Sequence, residues 1–209
     1  MKSPIIIHEH TSALKPDTNG VSSIMTIGNL IDHLETDVNW NKVFGVVCGV
    51  YSDSGFTSRA DNFTKSTTIE KALAKFSNLN RVDQIGYDFL YGDLKVELKM
   101  RQNLFYKRTP HQTQTIKMKN FQGNKKTLED FKNSQTFDAA LILCLTTYQA
   151  IIVEDDVARN RYYADGDGVF AKFGLGDYYK CDIGEVNPIL PPTQLSEDIQ
   201  TSIDNYLNF

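Results

Sequence analysis

Residues Leu94 to Arg101 alternate without a break: Leu94, Val96, Leu98 and Met100 fall on one face, Lys95, Glu97, Lys99 and Arg101 on the other. A period of two sustained this long is the signature of a half-buried β-strand, because successive side chains point to opposite faces. Just upstream, Tyr87 to Tyr91 is rich in aromatic residues, and Gly92-Asp93 reads as a two-residue hairpin loop of the Gly-X type. A loop of that length sets the register: Tyr91 faces Leu94, Phe89 faces Val96, and Asp88 faces Glu97. Directly opposed side chains sit about 5 Å apart at Cβ, where like charges repel. Two carboxylates so placed need a compensating cation. Hard oxygen donors favour Mg2+, which is commonly held by one or two carboxylates together with water and phosphate oxygens. Lys99 projects from the same face as Glu97, about 7 Å further along. There it could orient an attacking water or offset charge on a phosphorane-like transition state. In this register Gly86 faces Lys99 and leaves room for a phosphate.

An acid two residues before a lysine is a cheap pattern, and the chain carries three copies: Asp93-Leu94-Lys95, Glu97-Leu98-Lys99 and Asp130-Phe131-Lys132. The first lies in the turn and the third in a segment with helical spacing. Only the second has an acid across a strand pair. Asp88, a short turn, then Glu97-Leu98-Lys99 resembles the D…(D/E)xK motif of the PD-(D/E)xK nuclease superfamily, which includes most type II restriction endonucleases. The stretch DF…LKVELK is similar to the corresponding hairpin of the mismatch-repair nicking endonuclease and its restriction-enzyme relatives. Tyr87 stands where the motif's name has proline. The resemblance implies that Asp88 and Glu97 bind Mg2+, that the Leu98 backbone carbonyl is a further ligand, and that Lys99 assists the water. It also implies a mixed central β-sheet flanked by helices, the restriction-endonuclease-like core of an α/β protein.

With 209 residues, 41% hydrophobic and 23% charged, the chain has the make-up of an ordinary globular protein with room for a substantial core. No apolar run is long enough to span a membrane, and Pro4 to Ile7 is too short for a signal-peptide core. Cys48, Cys144 and Cys181 are odd in number, widely spaced and without a CxxC pair, so they read as free thiols in a reducing cytoplasm. The net charge of −4 hides an asymmetry. Lys95 to Lys132 holds ten basic residues against Glu97, Glu129 and Asp130, and the rest holds twelve against twenty-three acids. A basic stripe that begins inside the motif is the footprint expected for phosphate contacts, with DNA confined to one face.

Element order follows from spacing. Thr26 to Glu35 and a segment opening at Asp37 are expected helices, Ser52 to Thr64 a loop, and Thr67 to Ser77 a helix. After the hairpin come a strand over Thr113 to Phe121, a short helix over Leu128 to Asn133, and apolar strands over Phe137 to Thr146 and Gln149 to Glu154. Asp155 to Tyr163 is expected to be helical, Asp165 to Gly184 a glycine-broken loop, and the segment after Pro191-Pro192 a helix capped by Ser196. This divides one endonuclease-like domain into a helical appendage (1–64), a catalytic core (65–160) and a C-terminal loop and helix (161–209).

Other residues carry competing readings. Glu70, before the hairpin, serves either as an additional acid at the metal or as the closing member of a Thr67–Glu70 capping box. His8-Glu9-His10 lacks further ligands, and Asp165 to Gly168 lacks the remaining acids of a calcium loop. Phe170, Phe173, Tyr178 and Tyr179 read as packing or an interface. Base readout needs Arg, Lys, Asn or Gln in the major groove, which Arg101 to Gln114 supplies through Arg101, Gln102, Asn103, Lys107 and Arg108. Lys95, Lys117 and Lys119 complete the DNA-contacting set. The expectation is a Mg2+-dependent endonuclease cutting double-stranded DNA, a type II restriction enzyme acting as a homodimer. The rivals are a structure-specific repair or recombination nuclease and a catalytically silent DNA-binding module of the same fold.

Overall fold

The computed structural model describes residues 25–52, 59–84, 86–101, 114–120, 127–134, 136–145, 147–165, 168–174 and 176–189. The first helix, α1 (Ile27–Thr36), starts at Thr26, whose hydroxyl accepts the Asn29 N–H while the Asn29 side chain accepts the Thr26 N–H. That reciprocal cap satisfies two backbone donors the helix cannot pair itself. Asp37 closes α1 and does not open the next helix. Asn39 takes that role, accepting the Lys42 N–H at 3.2 Å at the head of α2 (Trp40–Ser52).

Helix α3 (Arg59–Phe76) begins earlier than the loop expected over Ser52 to Thr64 allows. Its apolar periodicity is confined to the second half, where Ile69, Ala72 and Leu73 are buried. Extending an anchored helix costs far less than nucleating one, so polar residues upstream join it. Strand β1 (Asn80–Gln84) has no counterpart in the sequence reading, because Asn80, Arg81 and Asp83 mask the apolar Val82.

Strands β2 (Tyr87–Tyr91) and β3 (Leu94–Arg101) form the expected hairpin, paired as Phe89 with Val96 and Tyr91 with Leu94. Gly92 sits in the turn at φ +62°, a conformation glycine adopts without strain. Next come β4 (Gln114–Asn120), α4 (Leu128–Ser134), β5 (Ala139–Cys144), β6 (Gln149–Glu154) and α5 (Asp155–Asn160). Strands β7 (Tyr162–Asp165), β8 (Gly168–Phe173) and β9 (Tyr179–Lys180) occupy segments expected as the end of a helix and as loop. Glycines there punctuate short strands and do not abolish them.

The main sheet is mixed and mostly antiparallel, in the order β1-β2-β3-β5-β6-β9, with β3 and β5 its parallel pair. β4, which falls in the segment expected as the catalytic core, does not join it. The place beside β3 belongs to β5, whose six residues are all buried, and β4 pairs with β8 in a three-stranded sheet completed by β7. One face of the main sheet packs Phe89, Val96, Leu98, Leu141 and Ile152 against Leu30, Phe44, Ile69 and Leu73 of α1, α2 and α3. The opposite face packs Ala140, Ile142 and Val153 against Ala158 of α5 and Val169, Ala171 and Phe173 of the small sheet. Helices α1 and α2, from the segment expected as an appendage, thus share the central core. Among the described residues no helix is long and apolar enough to cross a membrane. The expected terminal helix lies outside them.

Candidate metal centre

Strand β3 uses its backbone on two sides. The Lys95 and Arg101 carbonyls accept N–H groups of Asp138 and Leu145 at the β5 side, both at 2.8 Å. Residues between them in the alternation, Leu98 included, therefore turn their backbone groups toward β2. The Leu98 N–H meets the Asp88 carboxylate there, at 2.7 Å. Strand β2 is irregular at this point. Phe89 packs on the helix-covered face and Tyr87, two residues away, on the opposite one. The β1–β2 ladder slips between Arg81 and Gln84. Such irregularities re-aim a side chain, and here they turn Asp88 toward its partner strand. Gly86, expected across from Lys99, instead forms the β1–β2 turn at φ +108°, where a Cβ would strike the Thr136 hydroxyl.

Two carboxylates share this spot. Burial pushes the Asp88 carboxyl up to about 6, the Glu97 charge pushes it the same way, and the Leu98 N–H and Lys99 oppose both, with Glu70 raising it further. Glu97 is held by an ion pair with Lys99 two residues on, and the two side chains are only 17% and 21% exposed. The charges of Glu97, Lys99 and Glu70 thus all reach Asp88. Lys95 stands apart, its ammonium 5.7 Å from the centre of the Tyr87 ring.

Glu70 does not cap a helix. Thr67 lies well inside α3, so the capping-box reading is overturned. Its carboxylate instead accepts from the Ser66 hydroxyl at 3.1 Å and from Arg81 Nε at 3.1 Å, with Arg81 Nη2 at 3.0 Å. Arg81 is the residue that sequence reasoning missed. Its only signal was the alternation around Val82, hidden by polar neighbours. The other acid-x-Lys copies have different uses: Asp93 lies exposed in the turn, and Asp130 closes a capping box with Thr127 at α4.

Among the described residues no group of three or more His, Cys, Asp or Glu side chains forms a ready-made metal cage. Mg2+ does not require one, since it retains waters and is often held by one or two carboxylates. Two features fit such an ion: the donors are hard oxygens, and Asp88 is driven toward its protonated form by burial and by a neighbouring carboxylate. Asp88 and Glu97 would hold it, with the Leu98 carbonyl on the same strand edge as the N–H that contacts Asp88. Of the DNA-contacting candidates, Lys95 and Arg101 lie on β3, and Lys117 and Lys119 on β4 in the other sheet. Gln102, Asn103, Lys107 and Arg108 lie outside the described residues, as do His8 and His10. None of Cys48, Cys144 and Cys181 is joined in a disulfide. Comparison with protein-family models, curated proteins and solved structures finds no match to this chain.

Proposed function

We propose that this chain is a Mg2+-dependent endonuclease that hydrolyses DNA phosphodiester bonds, a type II restriction enzyme cutting duplex DNA as a homodimer. The observation that carries the reading is the arrangement at β2–β3: Asp88 turned between the strands onto the Leu98 N–H, Glu97 raising its affinity for a proton, and Lys99 paired to Glu97. Supporting it is the arrangement of elements: α3, an antiparallel β1–β2–β3 run, then, past β4 of the other sheet, α4 and β5 parallel to β3. The resemblance of the hairpin to PD-(D/E)xK nucleases implies a mixed central sheet flanked by helices, and the main sheet here is mixed with helices packed on it. When bound, Mg2+ supplies charge to the scissile phosphate and makes a water a stronger nucleophile. Asp88 and Glu97 orient the ion, and the Lys99 ammonium, anchored by Glu97, points a donor at the attacking water or at the phosphate oxygens.

Duplex cleavage by one small subunit requires two sites, which a symmetric pair of chains supplies on a palindromic sequence. The test is digestion of unmethylated phage DNA by the purified protein with Mg2+ and with EDTA, followed by end-mapping. Reproducible fragments that need Mg2+ and vanish in Glu97→Ala support the reading. Cleavage only of branched or mismatched DNA would assign a repair nuclease, and no cleavage of either substrate would assign a silent binding module.

A further inference from the structure

Strand β8 alternates its faces. Val169, Ala171 and Phe173 are fully buried against the main sheet, so Phe170 and Lys172 between them stand on the solvent face. On β7, Tyr162 is buried in the same inner cluster and Tyr163 faces out. The β7–β8 ladder sets Tyr163 across from Phe170, and their rings stack with centroids 5.9 Å apart and planes 26° from parallel. Tyr163 is 37% exposed, and among the described residues only Ile189 joins it as an exposed large hydrophobic side chain. A cross-strand aromatic pair stabilises a sheet by its own contact, but that contact does not account for a ring left in water.

The surroundings are basic. The three strands of this sheet carry Lys117, Lys119 and Lys172 against Asp165, in a chain whose net charge is −4. Lys172 is exposed two residues from Phe170 on the same face, and Lys117 stands across from Phe170 in the β4–β8 register. Arg161 does not add to this charge, because Asp177 holds its guanidinium at 2.7 Å. Aromatic rings flanked by lysines on an open sheet face suit a strand of unpaired bases, whose rings stack on the aromatics while its phosphates meet the ammonium groups. A duplex keeps its base faces inside its own stack and offers such rings nothing. Beneath this sheet lie Ala140 and Ile142, the β5 neighbours of Glu97 and Lys99, so the platform is on the side of the main sheet that carries that pair.

We propose that the solvent face of the β4–β8–β7 sheet binds single-stranded nucleic acid, with Tyr163 and Phe170 as its base-stacking platform and Lys172 and strand β4 supplying the positive charge. The inference stands apart from the endonuclease reading and survives its failure. The test is fluorescence anisotropy of the full chain in EDTA, with labelled oligodeoxythymidylate and oligouridylate of about twelve nucleotides and a duplex of equal length. At least one single strand is expected to bind, Tyr163→Ala to weaken it about tenfold, and Tyr163→Phe to stay within about twofold. Lys172→Ala is expected to weaken it a fewfold and to lower the slope of log affinity against log salt by about 0.7. Tyr163→Trp keeps an aromatic ring in place and reads the platform directly: the single strand is expected to quench its emission, while Trp40, 4% exposed, is unaffected. No binding of either strand, wild-type affinity in both Tyr163→Ala and Lys172→Ala, or unquenched Tyr163→Trp emission would overturn the proposal. An equal loss of duplex and single-strand binding in Tyr163→Ala would overturn the stacking role. So would self-association of the chain that Tyr163→Ala abolishes while single-strand binding is unchanged, which would assign this face to a contact between copies.

Discussion

The Asp88 carboxylate takes the backbone N–H of Leu98 at 2.7 Å, in place of the carbonyl that a regular antiparallel neighbour would offer. One hydrogen bond therefore does two things. It satisfies a strand donor that the irregular β2 leaves without a ladder partner, and it fixes the direction of an acid group at a shared site. Burial and the Glu97 charge outweigh it, so the aspartate is held at an energetic disadvantage in the ion-free protein.

Asp88→Asn separates structure from chemistry. The asparagine oxygen can accept the same N–H while the buried charge disappears. Stability at pH 7, read from urea unfolding, is expected to hold or rise by up to about 2 kcal/mol. Mg2+-dependent cleavage is expected to fall at least about a hundredfold. A loss of stability would mean that the carboxylate is not strained by its surroundings.

Lys99→Ala and Glu97→Ala each leave one partner of a partly shielded ion pair alone. The stability cost is expected to be about 1 kcal/mol, more than an exposed pair would show and less than a fully buried one. Cleavage is expected to drop at least about a hundredfold while duplex affinity in Ca2+ stays within a fewfold. Equal losses of binding and cleavage, measured by fluorescence anisotropy beside digestion, would point to a DNA-contacting role instead.

The folded Asp88 titrates near 6 against an ordinary value of 3.8, so between these values the folded chain keeps a proton that the unfolded chain releases. The stability this confers is complete below pH 4 and is lost as the pH rises through 6. Relative to Asp88→Asn, the ion-free protein is expected to lose up to about 3 kcal/mol between pH 4 and pH 7. Saturating Mg2+ is expected to shrink that loss. Parallel stability profiles for the two proteins would rule out the shift.

Gly86 lies at φ +108°, with the Thr136 hydroxyl where a Cβ would stand. Gly86→Ala is expected to destabilise the fold by about 1–3 kcal/mol through backbone strain and displacement of Thr136. It should also depress cleavage by shifting β2. Thermal unfolding checks the first part, and a melting point equal to wild type would refute it.

The hairpin, its register beside the turn and the alternating faces of β3 were legible because two-residue turns and period-two patterns are local rules, whereas the expected pairing of Gly86 with Lys99 was lost where β2 becomes irregular. So was the placement of Glu97 and Lys99 on one face legible, though not their ion pair, and so were the buried runs that became β5 and β6. What escaped was whatever depended on packing. Strand β1 is too polar to announce itself, the start of α3 comes from extension of an anchored helix, and β4 was drawn into a second sheet because β5 fills the place beside β3. The Thr67–Glu70 spacing mimicked a cap because three-residue offsets recur inside every helix.

The chain's own order of residues determined a tight hairpin whose second strand carries Glu97 and Lys99 on one face, since neighbours along a strand obey fixed geometry. Only the tertiary structure decided that Asp88 would turn inward onto Leu98 and that Glu70 would arrive from α3 already paired with Arg81. Those contacts join segments whose separation along the chain carries no periodic signal, and they follow from which apolar faces bury one another.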